Sequence, residues 1–181
     1  MKLRRAIASF LKTHAPQLSV HARRPYGKNL AYPLATFTVV GRETSVLGCG
    51  DADYRQRNES GNVVKKGRLV QQETSLRIDL WVPADAEKSA EERIEELAED
   101  VERVFEDWRF DRNRSAITDP TSGDDLHVTA MCHVSTVDLP LDTGGEPFLA
   151  RKSLTYAIAH RRYHERDVER HIENINLRYG A

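Results

Sequence analysis

The chain has 181 residues, of which 39% are hydrophobic and 30% charged, with a formal net charge of −1. That length sets one domain as the expectation, and the composition closes one core while leaving much surface to hold in water or against partners. Two cysteines, Cys49 and Cys132, exclude a disulfide framework, the near-neutral charge argues against a dedicated nucleic-acid binder, and no run approaches the ~20 apolar residues of a membrane span.

From the start, Leu3, Ile7, Phe10 and Leu11 predict a short helix over Lys2 to His14, ended by Ala15-Pro16. No signal-peptide apolar stretch is present here, so a soluble, intracellularly made protein is expected. Residues 15–33 contain three prolines and predict an irregular or partly extended connection. Thr36 to Val40 is a β-branched strand that Gly41 is expected to close. Residues 42–67 carry two turn signals, Gly48-Cys49-Gly50-Asp51 and Glu59-Ser60-Gly61-Asn62. A loop of that length favours an extended hairpin with its tip near Ser60-Gly61-Asn62.

The clearest unit runs from Arg68 to Trp108. Val70, Gln72, Thr74, Leu76, Ile78, Leu80 and Val82 alternate with Gln71, Glu73, Ser75, Arg77, Asp79 and Trp81. That period of two predicts a half-buried antiparallel strand with one apolar and one wet face. Pro83 ends it. Ser89 and Glu92 form a capping box, and Ile94, Leu97, Ala98, Val101, Val104, Phe105 and Trp108 recur at helical spacing. Asp111 to Asp125 is a polar loop. Beyond it Leu126, Val128, Ala130, Cys132 and Val134 alternate with His127, Thr129, Met131, His133 and Ser135, which predicts a strand with Cys132 as a buried free thiol. After a long turn over Asp138 to Pro147, Ser153 to Tyr163 is a strand with Leu154, Tyr156 and Ile158 on one side. Val168, Ile172 and Ile175 suggest a closing helical segment from Glu165.

The predicted fold class is α+β, an antiparallel sheet with two helices packed on one face in the order α-β-β-α-β-β. The predicted organisation is a single domain over 1–163 with the extended loop 42–67, followed by a C-terminal extension, helix or arm, over 164–181.

No catalytic grouping emerges from the residue chemistry. Asp51 and Asp53 could hold a divalent cation, but no third ligand stands at a recognisable spacing. Glu73, Arg77 and Asp79 share the polar strand face, yet the Glu-x-Lys of a nuclease core is replaced by Trp81-Val82-Pro83, so ion pairing is the better account. The histidines lack zinc spacing, and the Gly pairs lack phosphate-loop contexts. No metal and no cofactor are expected. Charge is distributed unevenly: Lys2, Arg4, Arg5, Lys12, Arg23, Arg24 and Lys28 fill the first 28 residues without an acid, whereas Ala86 to Asp107 holds ten acids. Such a chain can attract copies of itself head to tail, and a closed head-to-tail contact is a ring.

The element order, the Leu34-to-Val40 strand, the Leu47-Gly48-Cys49-Gly50-Asp51 excursion, the Ser75-Leu76-Arg77-Ile78-Asp79-Leu80-Trp81 strand and the Ser89-to-Trp108 helix resemble tail-terminator and tail-completion (neck) proteins of tailed phages and related viruses. The resemblance covers Met1 to Tyr163. It implies a non-enzymatic virion protein, usually a six-copy ring, that caps the tail tube and joins it to the head connector. Its implied partners are further copies of itself, the tail-tube protein, head connector or adaptor proteins, and DNA passing through the lumen without sequence specificity, with no membrane. Its place would be the tail or neck of the virion, and the host cytoplasm during assembly. Under this resemblance Arg4, Arg5, Arg23 and Arg24 would meet Glu92, Glu95, Glu99 and Glu102 of a neighbour, and Asp51, Asp53, Arg55 and Arg57 would line the lumen or a partner. Two alternatives come from other classes: a nucleic-acid-binding or adaptor α+β module using the basic termini, and a metal-dependent nuclease using Asp51, Asp53, Glu73 and Asp79.

Overall fold

The structure, a computed structural model, describes residues 2–23, 30–46, 53–57, 63–111, 115–142 and 149–167. Its elements are α1 (Lys2–His14), β1 (Ser19–His21), β2 (Leu34–Val46), β3 (Asp53–Arg57), β4 (Val63–Pro83), α2 (Ala90–Phe110), β5 (Val128–Asp142) and β6 (Leu149–Asp167). The chain divides into two compact units, residues 1–43 with 73–160 and residues 44–72 with 161–181. In the second, β3 pairs antiparallel with β4 from Asp53↔Arg68 to Arg57↔Val63. The hairpin expected from the turn signals is therefore present, and its connection, 58–62, lies outside the described residues.

The strands of the first unit run in the order β1-β2-β4-β6-β5. A mixed α+β fold with two helices agrees with the predicted class, but two details are corrected. The sheet is mixed, because β1 pairs parallel with β2 through Ser19↔Leu34, Val20↔Ala35 and His21↔Thr36. The connection over 22–33 is long enough for the return that parallel pairing requires. The order is α-β-β-β-β-α-β-β, since β1 and β3 add two strands to the expected set. Gly41 lies within β2 rather than closing it, and a Cβ there would meet nothing nearer than Ser75 at 3.9 Å.

α1 buries Leu3, Ala6, Ile7, Phe10 and Leu11, the stripe expected from their spacing. It ends where the Ala15 N–H reaches Leu11 O at 2.8 Å, and Pro16 follows. α2 begins at the expected capping box: Ser89 Oγ accepts from Glu92 N, and Glu92 accepts from Ser89 N. Its buried residues Ile94, Leu97, Ala98, Val101, Phe105 and Trp108 join those of α1 in one apolar cluster. Leu76, Ile78, Leu80 and Val82 of β4 and Leu154, Tyr156 and Ile158 of β6 complete it. Phe10 stacks on Phe105 at 6.1 Å between centroids, and Phe105 meets the edge of Tyr156 at 4.8 Å.

The odd side of β4 is less wet than its alternation predicts. Trp81 is only 5% exposed and packs with Leu34 and Leu149, with Leu30 and Tyr32 against them. Arg151 lies over the indole, its guanidinium carbon 5.6 Å from the ring centroid. Asp79 is also buried; it accepts from Ser153 Oγ on β6 and pairs with Arg77 Nε at 3.1 Å. Ion pairing on this face, expected between strands, runs along β4 itself.

Cys132 overturns a second expectation, because it is exposed. Val128 pairs with His160 but Ala130 pairs with Ala159, so Thr129 is an extra residue in a bulge. One inserted residue exchanges the two faces downstream. Met131, opposite Ile158, therefore takes the buried place and Cys132, opposite Ala157, turns outward. At the far end β6 continues as strand to Asp167, past the expected helix start at Glu165, and 168–181 lie outside the described residues.

Candidate functional site

The described charged residues divide into those that bind their own chain and those that face outward. Arg5 belongs to the first group, its Nη2 lying 2.8 Å from Asp119 Oδ2, whose side chain is buried. Asp119 also takes the Ser122 hydroxyl at 3.3 Å, and the Gly123 N–H returns to Asp119 O at 2.7 Å across a turn that needs the positive φ of Gly123. Lys2 Nζ lies 2.6 Å from Asp124 Oδ2. These two cations anchor α1 to the loop after α2, which removes Arg5 from the list of simple interface candidates.

Arg4 differs. Its Nε is buried with no hydrogen-bond partner, and burial, then the like charges of Arg23 and Arg42, push its guanidinium below the ordinary arginine range. Arg4 of α1, Arg23 just after β1 and Arg42 of β2 are thus near enough for their like charges to act on Arg4. Arg42 was missed because it follows Gly41 at the expected strand end, where nothing in sequence ties it to Arg4. Arg24 and Asp51 lie outside the described residues, and for Asp53, Arg55 and Arg57 the structure describes only their backbone on β3.

On α2, Glu95, Glu99, Glu102 and Glu106 follow one another at alternating spacings of four and three, which places them on one helix face. Glu92 belongs to the capping box. Glu95 pairs with the buried Lys152 of β6, which also lies 3.1 Å from Asp138 of β5. Burial pulls the Lys152 ammonium down, but these two carboxylates outweigh it and hold the group above its ordinary value. Glu102 Oε1 accepts from the Thr136 hydroxyl at 3.2 Å, and His133 Nε2 lies 2.8 Å from the same hydroxyl. Glu99 is exposed and makes no bond among the described residues. Beneath this stripe the Tyr156 hydroxyl is raised above its ordinary value by burial, then by Glu102 and Glu106.

An open cleft of about 290 Å³ beside the α2 start is lined by Asp85, Lys88, Arg93, Glu96 and Asp100. Its charges largely satisfy one another: Arg93 Nε lies 3.2 Å from Asp85 Oδ2, and Lys88 pairs with Glu96. Among the described residues, no three His, Cys, Asp or Glu side chains are placed to hold a metal ion, and no helix is long and apolar enough to cross a membrane.

Acid should loosen the fold through four carboxylates. The backbone N–H groups of Glu87 and Lys88 hold Asp85 below the ordinary carboxylate range, the Ser89 N–H does so for Glu92, and Lys2 for Asp124. Burial alone would raise Asp119, but bonds from Arg5, Thr121 and Ser122 outweigh it and lower it too. A lowered folded pKa gives stability that is present above the unfolded value and lost as pH falls through the folded one. The melting temperature should therefore stay nearly level from pH 7 to about 5 and fall below about pH 4. A rise on acidification below pH 4 would contradict these assignments.

No protein-family model matches the chain, and no curated protein matches it.

Proposed function

We propose that this chain is a non-enzymatic virion subunit. Copies join head to tail into a ring, six by the resemblance, that terminates a tail tube and joins it to the head connector. The observation that carries this reading is the placement of charge. The sheet order puts β1 and β2, with α1, at one end and β5, with α2 beside it, at the other. Arg4, Arg23 and Arg42 therefore belong to one end, and Glu99, Glu102, Glu106 and Asp138 to the opposite one. Complementary surfaces at opposite ends of a subunit make a heterologous contact, the kind that closes into rings. Both helices contribute to one apolar core with β2, β4 and β6. In this reading the open part of the sheet and the 42–67 segment, with Asp51, Asp53, Arg55 and Arg57, face the lumen, tube or connector, and passing DNA is met without sequence specificity.

The test is electron microscopy of particles assembled without this chain. Filled heads and separate, uncapped tubes, joined again when the chain is added back, are expected; normally joined particles would refute the reading. The arginine cluster also favours a second reading, a nucleic-acid-binding module. Retention on DNA that falls steeply with salt and needs Arg4, Arg23 and Arg42 would favour that module over the ring. The nuclease reading finds less support, since Asp79 is engaged by Ser153 and Arg77.

A further inference from the structure

The hairpin of β3 with the start of β4 lies wholly in the second unit and concentrates positive charge. That unit, 44–72 with 161–181, carries ten Lys or Arg residues against seven Asp or Glu, although the whole chain is at −1. Half of those cations, Arg55, Arg57, Lys65, Lys66 and Arg68, fall within 53–57 and 63–68, where Asp53 is the one acid. The register orders them. Asp53 stands opposite Arg68, a complementary pair. The next facing pair on the same face is Arg55 opposite Lys66, two like charges. Lys65 stands opposite Gln56, and Arg57, beyond the register shift, stands opposite Val63. The carboxylate is therefore at the end of the hairpin away from its connection, and the four cations nearer the connection have no acid at their facing positions. Facing residues of an antiparallel pair are about 4.5–5.5 Å apart, and like charges there weaken the pairing. An anion that meets both strands removes that repulsion.

We infer that the β3–β4 hairpin, through the Arg55–Lys66 pair with Arg68 on the same face and Arg57 and Lys65 beside it, binds the phosphate backbone of duplex DNA. The inference rests on the reading above in setting the 42–67 segment against passing DNA, and it carries the site across to β4. Charge complementarity selects the occupant. Cations that follow one another along two paired strands suit a continuous row of anions, and duplex DNA presents one phosphate charge per ~1.7 Å of its axis. Arginine and lysine both bind phosphate, the first as a planar fork and the second as a point charge. Contacts to phosphate hold the duplex without reading its sequence, as DNA of any sequence passing the site requires. An acidic protein surface, which offers its carboxylates more thinly, is the competing occupant.

The experiment measures binding of the full chain to two labelled duplexes of unrelated sequence by fluorescence anisotropy as salt is raised, with thermal melting and sedimentation of the same samples. Both duplexes should bind alike. R55Q/K66Q should weaken binding at low salt by about a hundredfold and lower the salt slope by about two. Its melting temperature should not fall, because a like-charge pair is removed. R57Q/K65Q, at the neighbouring register positions, should act in the same direction and remains informative if the first variant is disturbed. A parent chain that closes into a ring but retains no DNA at low salt overturns the inference and leaves the ring reading standing. Loss of binding in R4Q/R42Q, with R55Q/K66Q binding as the parent does, also overturns it. Polyglutamate that displaces the duplex as readily as unlabelled DNA would replace DNA with an acidic protein as the occupant. Binding that needs Arg55 and Lys66 in a chain that stays monomeric supports this site and removes the ring.

Discussion

Replacing Phe105 with alanine is expected to cost about 3–5 kcal/mol of folding stability. Phe105 is 3% exposed and sits at the centre of the cluster, stacked on Phe10 of α1 and meeting Tyr156 of β6. Alanine would remove the ring from both contacts and leave a cavity that α1 and the sheet, each held by its own bonds, could fill only in part. The aromatic pairs add about 0.5–1.5 kcal/mol beyond the area they bury. Denaturant unfolding should show a lower midpoint at an unchanged slope, and the melting temperature should drop by about 10 °C. A loss below about 1 kcal/mol would mean that α1, α2 and β6 do not share this core.

The second large effect is on assembly. Reversing Arg4 and Arg42 to glutamate should raise the concentration for half-assembly by about a hundredfold, because attraction across the contact becomes repulsion. Arg5 is left out, since its reversal would place two carboxylates together at the buried Asp119 and test folding instead. Mixing R4E/R42E with E99R/E106R should restore association between unlike copies, while each alone stays dispersed. If R4E/R42E assembles as the parent does, the basic cluster is not the copy-to-copy surface.

These two expectations differ in how much of them was legible in sequence. The Phe105 cluster was readable because α1, β4 and α2 each repeat their apolar residues at the period of their own element, and the capping box at Ser89 marked where α2 starts. Features that depend on a single inserted residue or a distant neighbour were not readable. Thr129 flips β5 without any local mark, so alternation alone puts Cys132 on the wrong side. Trp81 stands at a position that alternation makes wet, and what covers it, Leu30 and Tyr32, lies in a proline-rich connection some fifty residues earlier. β1 is three residues, Ser-Val-His, too short for a period to show.

The candidate surface follows the same division. The acidic stripe of α2 was visible as composition and spacing. Its division into carboxylates bound within the chain, Glu92 and Glu95, and the outward Glu99 needed the partners Ser89 and Lys152. The basic end was visible as a run of cations, but the set that gathers at Arg4 includes Arg42 from β2, and loses Arg5 to a loop 114 residues away.

The mass of the species formed in solution tests the central claim most directly. Sedimentation of the full chain at low ionic strength and high concentration should give one closed species at a whole multiple of the chain mass, six by expectation. Raising the salt should return it toward monomer, as a contact between charged ends requires. A chain that remains monomeric at low salt and high concentration would contradict the account.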